Sequence, residues 1–162
     1  MFNFYQKIDL PKLPENLIPD IRDIRKQDNI CPTTGVVHNG ESIFSIYEAS
    51  QSIKDLYNKY IDFPHVIRWQ VITDDLPLHY DWGHSARKYL YLIDQGGDQV
   101  TTQFFSEKEN DPVSGGSFTP DGRELLLEIS EELKSWHMLN VKRPHRVINI
   151  TRPRIALIIR EN

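Results

Sequence analysis

Cysteine is almost missing from this chain. Cys31 stands alone, so no intramolecular disulfide can form and a secreted disulfide scaffold is excluded. No apolar run approaches the roughly 18 residues that a membrane-spanning helix needs, so none is expected. Positive charge is not in surplus: 19 Lys and Arg against 23 Asp and Glu leave a net charge of −4. Nucleic-acid binders present clustered positive charge, and the one local basic group here (Lys142, Arg143, Arg146, Arg152, Arg154) is outweighed elsewhere. A nucleic-acid partner is therefore not indicated. A phosphate-cradling glycine loop and a GxSxG elbow are both absent, which sets aside the P-loop enzymes and the elbow-type hydrolases. The opening "MFNFYQKIDLPKLPENL" carries charge and proline too early for a secretory signal, and a reduced, cytoplasmic protein is expected.

What the chain does have is the composition of a folded protein, 39% hydrophobic and 26% charged, in a length that suits one domain over residues 1–162. Residues 1–62 read as an arm and a helix packed on a core formed by residues 63–162. Pro11, Pro14, Pro19 and Pro32 crowd the arm and limit it to short strands and turns. Within "SIYEASQSIKDLYNKYI", Ser45 and Glu48 make a capping-box pattern, and Ile46, Ala49, Ile53, Leu56, Tyr57 and Tyr60 recur at helical spacing. Together they predict one amphipathic helix over 46–60. After Pro64 the texture turns to short β-branched and aromatic runs: "HVIRWQVIT", "KYLYLID", "QVTTQFF", "ELLLEIS", "SWHMLNV", "HRVINI" and "RIALIIR". Such a series predicts a mainly β fold of jelly-roll or barrel type. The polar segment over 106–122 reads as a long loop, either a substrate-facing lid or a disordered insertion.

His79 and Asp81 lie two apart in "LHYDWG". On an extended chain that spacing puts an imidazole and a carboxylate on one face, where both can reach one metal ion. Alone, the pattern is as consistent with a solvated turn. His145 in "RPHRVINI" offers a third ligand, and two imidazoles with one carboxylate form the facial triad of non-haem Fe(II) oxygenases, which leaves positions open for other ligands. Arg154, nine residues on, opens the apolar run "RIALII". A guanidinium entering such a strand needs a partner. The partner is either a ligand carboxylate, held bidentately, or an internal Asp or Glu. Trp82, next to Asp81, is expected to line the site. Arg87 either faces substrate or pairs at a barrel rim. His84 reads as a surface residue rather than a ligand, and His38, His65, His137 and Cys31 are given no chemistry.

The order HxD, distal His, then Arg nine residues later resembles the Fe(II)/2-oxoglutarate-dependent dioxygenases, most closely their prolyl-hydroxylase-like branch. Arg87, "YLYLI", Gly96-Gly97-Asp98 and Phe104 or Phe105 resemble that branch's middle segment, with GGD where the family usually has GGE. The resemblance covers about residues 66–160. It implies a double-stranded β-helix (jelly-roll, cupin-like) core. It also implies Fe(II) on His79, Asp81 and His145, and 2-oxoglutarate held through its distal carboxylate by Arg154 with help from Tyr89 or Tyr91. The reaction implied, with O2 as cosubstrate, hydroxylates a C–H bond of a peptidyl side chain or small molecule while 2-oxoglutarate is decarboxylated to succinate. Two other readings suit the same residues: a cupin-like metal-binding isomerase or sensor, and a non-catalytic binding module.

Overall fold

The apolar runs after Pro64 become strands, and they stack as two antiparallel sheets. The computed structural model describes residues 4–30, 37–38, 41–83, 85–112 and 115–162; Cys31, His84 and the side chain of His38 lie outside what is described. Among these residues the strands are β1 (Tyr5–Lys7), β2 (Val37–His38), β3 (Glu41–Ser42), β4 (Phe44–Glu48), β5 (His65–Ile72), β6 (Leu76–His79), β7 (Arg87–Asp94), β8 (Thr101–Phe105), β9 (Ser117–Phe118), β10 (Leu125–Ile129), β11 (Trp136–Asn140), β12 (His145–Ile148) and β13 (Arg154–Glu161). The larger sheet has the order β1-β11-β7-β13-β5-β4, the smaller β10-β8-β12-β6-β9, and β2 pairs with β3. From β5 to β8 the chain changes sheet at every strand, and it does so again from β11 to β13.

Period-2 alternation divides each strand of the larger sheet between two cores. Leu90 and Leu92 of β7, Ala156 and Ile158 of β13, and Leu139 of β11 point toward the smaller sheet and pack with its Phe104. Tyr91, Leu157, Ile159, Trp69 and Trp136 point the other way. Leu13, Ile24, Tyr47, Ile53 and Tyr57 cover them there, so the proline-rich arm forms an outer layer over the sheet. Tyr57 donates its hydroxyl, and Trp136 its indole N–H, to the carbonyl of Pro11, which ties the arm down. The larger sheet is thus buried on both faces.

The expected helix over 46–60 is shorter. It is α2 (Gln51–Tyr57), capped by Ser50, whose Oγ accepts from the Ile53 amide, rather than by Ser45. Phe44–Glu48 is strand β4, in register with β5, because Ile46 and Tyr47 each find a core on opposite sides of the backbone. A helix cannot bury two adjacent residues in opposite directions. A five-residue helix, α1 (Ile21–Arg25), follows the Asp20 cap, and a 3-10 turn spans Glu15–Leu17. Among the described residues no helix is long and apolar enough to cross a membrane.

The loop over 106–122 folds back on the smaller sheet, where β9 pairs with β6 and sets Ser117 opposite His79. Asp111 clips it in place. Its carboxylate accepts from the Arg123 guanidinium (Nη1 to Oδ2, 2.7 Å), the Tyr80 hydroxyl (2.8 Å) and the Lys108 amide (2.8 Å).

Candidate metal centre

Strand β6 ends at His79, and antiparallel pairing with β12 puts His145 directly opposite it. Tyr80 turns to the far side against Phe118, so Asp81 returns to the face of His79. The Asp81 amide donates to the Val141 carbonyl, which holds the chain there just past the strand. The outcome is that Asp81 Oδ1 lies 3.3 Å from His79 Nε2 and 3.3 Å from His145 Nε2. The ligand atoms of all three residues fall within 4.8 Å of one another.

The tautomers follow from the outer partners. His79 Nδ1 is 2.7 Å from the Pro77 carbonyl and His145 Nδ1 is 2.8 Å from the Arg143 carbonyl. A carbonyl can only accept, so each Nδ1 carries a proton, and the neutral ring then presents its Nε2 lone pair toward Asp81. Burial, with His79 beside it, also holds His145 below its ordinary pKa and keeps it neutral. In the neutral rings, two lone pairs and a carboxylate oxygen then converge. That arrangement repels itself unless a cation sits between the atoms, and this donor set fits a divalent transition metal. Burial works most strongly on the charge of Asp81, but the Lys88 ammonium at 3.4 Å and the two histidines together outweigh it and hold the carboxyl well below the usual carboxylate range.

His79 and Asp81 line a pocket of about 270 Å³, with Trp82, 61% exposed, among the lining residues. Gly115 lies so close against the Trp82 ring that a Cβ there would overlap it, so the loop reaches the pocket mouth. The lining also includes apolar (Phe44, Ile46, Ile158) and cationic (Arg68, Lys88, Arg160) side chains, with the hydroxyl residues Tyr80 and Ser117.

Four residues expected at the site are placed elsewhere. Tyr91 is in the outer core, with its ring centroid 5.2 Å from that of Trp136, and Tyr89 packs on the same face. Arg87 shares that side of β7 and lines a separate groove with Tyr89. The two tyrosines do share a face, as their spacing requires, but it is the face away from Asp81, while the face toward it carries Lys88. Arg154 points inward at the opposite end of β13 from Arg160, roughly 20 Å along the strand at about 3.3 Å per residue. Its Nη2 is 3.1 Å from Glu131 Oε2, with both side chains buried, and its Nη1 donates to the Gln95 carbonyl. Of the two partners foreseen for Arg154, the internal carboxylate is the one present. Glu131 also accepts from Thr102 (2.6 Å). Gly96 belongs to this corner: its φ is +89°, and a Cβ would press on the Arg154 backbone. The glycine pair is thus needed for close approach of the β7–β8 turn to β13.

His137 is buried and satisfied by Tyr5 and the Glu132 carbonyl, and His65 is bonded to Phe63 and Asn58. Neither joins the cluster. Lys88 and Arg160 were missed by sequence reasoning. The available signal was a cation at the end of each apolar run, Lys88 opening "YLYLI" and Arg160 closing "IALII".

No protein-family model matches the chain, and no curated protein is similar to it. Among solved structures it is similar to oxalate decarboxylase of Bacillus subtilis. One point mutant of that enzyme matches at 12% identity and a TM-score of 0.44, and a second point mutant at 13% and 0.43. Each match covers 86% of this chain and 29% of the other, so the chain spans under a third of those proteins. Likeness at that level bears on neither family nor function.

Proposed function

We propose that this chain is a mononuclear Fe(II) oxygenase that uses 2-oxoglutarate and O2 to hydroxylate a C–H bond of a small molecule or peptidyl side chain. The observation that carries the reading is the convergence of His79 Nε2, His145 Nε2 and Asp81 Oδ1 beside a pocket. Three protein ligands on one side leave room for a bidentate cosubstrate and O2, which a closed four-ligand structural site would not. The changes of sheet along β5–β8 and β11–β13 support the double-stranded β-helix that the resemblance implies as the core for such a triad. Iron, when bound, supplies the activation of O2. The protein's part is to orient both imidazoles through the Pro77 and Arg143 carbonyls, and to line the pocket with apolar side chains that limit water.

One observation favours a second reading. Arg154 is occupied by Glu131, which removes the sequence's reason for preferring 2-oxoglutarate over other metal chemistry. On that reading the chain is a metal-dependent protein of cupin type acting on a small carboxylate without 2-oxoglutarate. Anaerobic protein with Fe(II) and 2-oxoglutarate separates the two. The oxygenase gives a visible charge-transfer band and, on admitting O2, succinate. Metal binding without that band or succinate would leave only the second reading.

A further inference from the structure

We infer that Lys88 and Arg160 form a carboxylate-recognition site beside the metal triad, so that the ligand the pocket takes is an organic anion. The inference deepens the reading of this pocket as an enzyme site and keeps its meaning if the cosubstrate is not 2-oxoglutarate.

Antiparallel register sets Arg160 of β13 directly opposite Lys88 of β7, and both line the pocket. Lys88 is 7% exposed, and its ammonium has Asp81 at 3.4 Å as its partner. Arg160 makes no ion pair among the described residues, and its Nη2 is buried without a hydrogen-bond acceptor. Arg160 is half-buried, so the cost falls on that one nitrogen, which has no acceptor to offset its desolvation. Arg68, the third cation of the lining, already has Glu48, 3.1 Å away. Asp81 is the only carboxylate among the described lining residues. Lys142 adds a further positive charge nearby, its ammonium held on the Gly83 carbonyl. Burial and the Arg160 charge both lower its pKa, while Asp81 opposes them.

Lys88, Arg160 and Lys142 therefore lie near one another, with Asp81 paired to Lys88 alone of the three, and a bound divalent metal would claim that carboxylate too. A bound counter-anion would relieve that repulsion. A guanidinium with an open edge next to an ammonium suits a carboxylate. The anion can belong to the cosubstrate or to the molecule that is oxidised, and the two sources give different results.

The test is calorimetry on Zn(II)-loaded protein, which binds without turning over. Two titrations are run on wild type, Arg160→Gln and Arg160→Lys: 2-oxoglutarate alone, and acetate added over saturating 2-oxoglutarate. Loss of one charge-assisted contact predicts at least about a tenfold weaker Kd in Arg160→Gln. Arg160→Lys should recover part of it. If the loss falls on 2-oxoglutarate, the anion is the cosubstrate; if it falls on acetate alone, it is the substrate. Binding of acetate but not 2-oxoglutarate by wild type, still lost in Arg160→Gln, would sink the 2-oxoglutarate reading and keep this one. Affinities within twofold of wild type for both probes would overturn the carboxylate site. Arg87→Gln, adjacent to Lys88 but on the other face, should leave both unchanged. A normal thermal melt of each variant excludes misfolding.

Discussion

Arg154 and Arg160 occupy the two ends of one strand, point to the same face, and meet opposite fates. Arg154 has a buried carboxylate partner in Glu131, so its removal leaves that carboxylate stranded. Breaking a buried pair from one side costs about 3–5 kcal/mol. Arg154→Ala is thus expected to lower the melting temperature on the order of 10 °C, at about 2–4 °C per kcal/mol for a chain of this size. An unchanged melt with weaker 2-oxoglutarate binding would instead return Arg154 to the role of clamp. The triad behaves differently. His79→Ala, Asp81→Ala or His145→Ala removes a ligand atom, and each is expected to abolish stoichiometric Fe(II) or Zn(II) binding, measured on dialysed protein by metal analysis. His137→Ala, outside the cluster, should keep the metal. At this scale the sequence was informative about ligands, because His and Asp two apart on a strand share a face wherever the strand lies. It was not informative about Tyr89 and Tyr91. Alternation joins them to each other, and only the burial of both sides of β7 decides which face meets Asp81.

At the scale of elements, the 106–122 segment is tied to the strand that carries the ligands. Tyr80, between His79 and Asp81, shares the Asp111 clip with Arg123. The Arg123 hydrogen bonds hold the Asp111 carboxyl far below its usual range, and burial with Asp111 alongside pushes the Tyr80 hydroxyl up. Because the folded pKa of Asp111 is depressed, the clip stabilises fully above the ordinary Asp value, near 4, and weakens as pH falls below it. Asp111→Asn is therefore expected to speed hydrogen exchange of the amides over 106–112 at pH 7, with little change in the β7 and β13 amides. If all regions speed equally, the clip supports the whole sheet rather than the segment. The helix expectation failed here for a related reason. Ile46 and Tyr47 fit a helical stripe in sequence, but two cores on opposite sides of one strand satisfy the same residues.

For the whole molecule, the consequence of a self-repelling ligand set is that metal binding and folding are coupled. Metal at about 100 times its Kd adds about 2.7 kcal/mol. The melting temperature should rise by roughly 5–10 °C with Zn(II) and fall back with chelator. No shift, with binding confirmed by calorimetry, would mean that the unfolded chain holds the metal equally well. The outer layer contributes separately: Leu157 is fully buried between the larger sheet and the arm, so Leu157→Ala is expected to cost about 2–5 kcal/mol with or without metal.

By itself the sequence determined the mainly β character, the seven runs that became β5, β7, β8 and β10 to β13, and the three metal-ligand candidates. Each follows from local chemistry: side-chain branching, period-2 alternation, and the few residue types able to ligate. The tertiary structure alone decided which cation serves the pocket. Lys88 and Arg160 are far apart in the chain and become neighbours only through the β7–β13 register, while Arg154 is neutralised by Glu131, which arrives from beyond β10. Whether a buried charge is paired depends on what the fold sets within a few ångströms of it, and sequence spacing does not carry that distance.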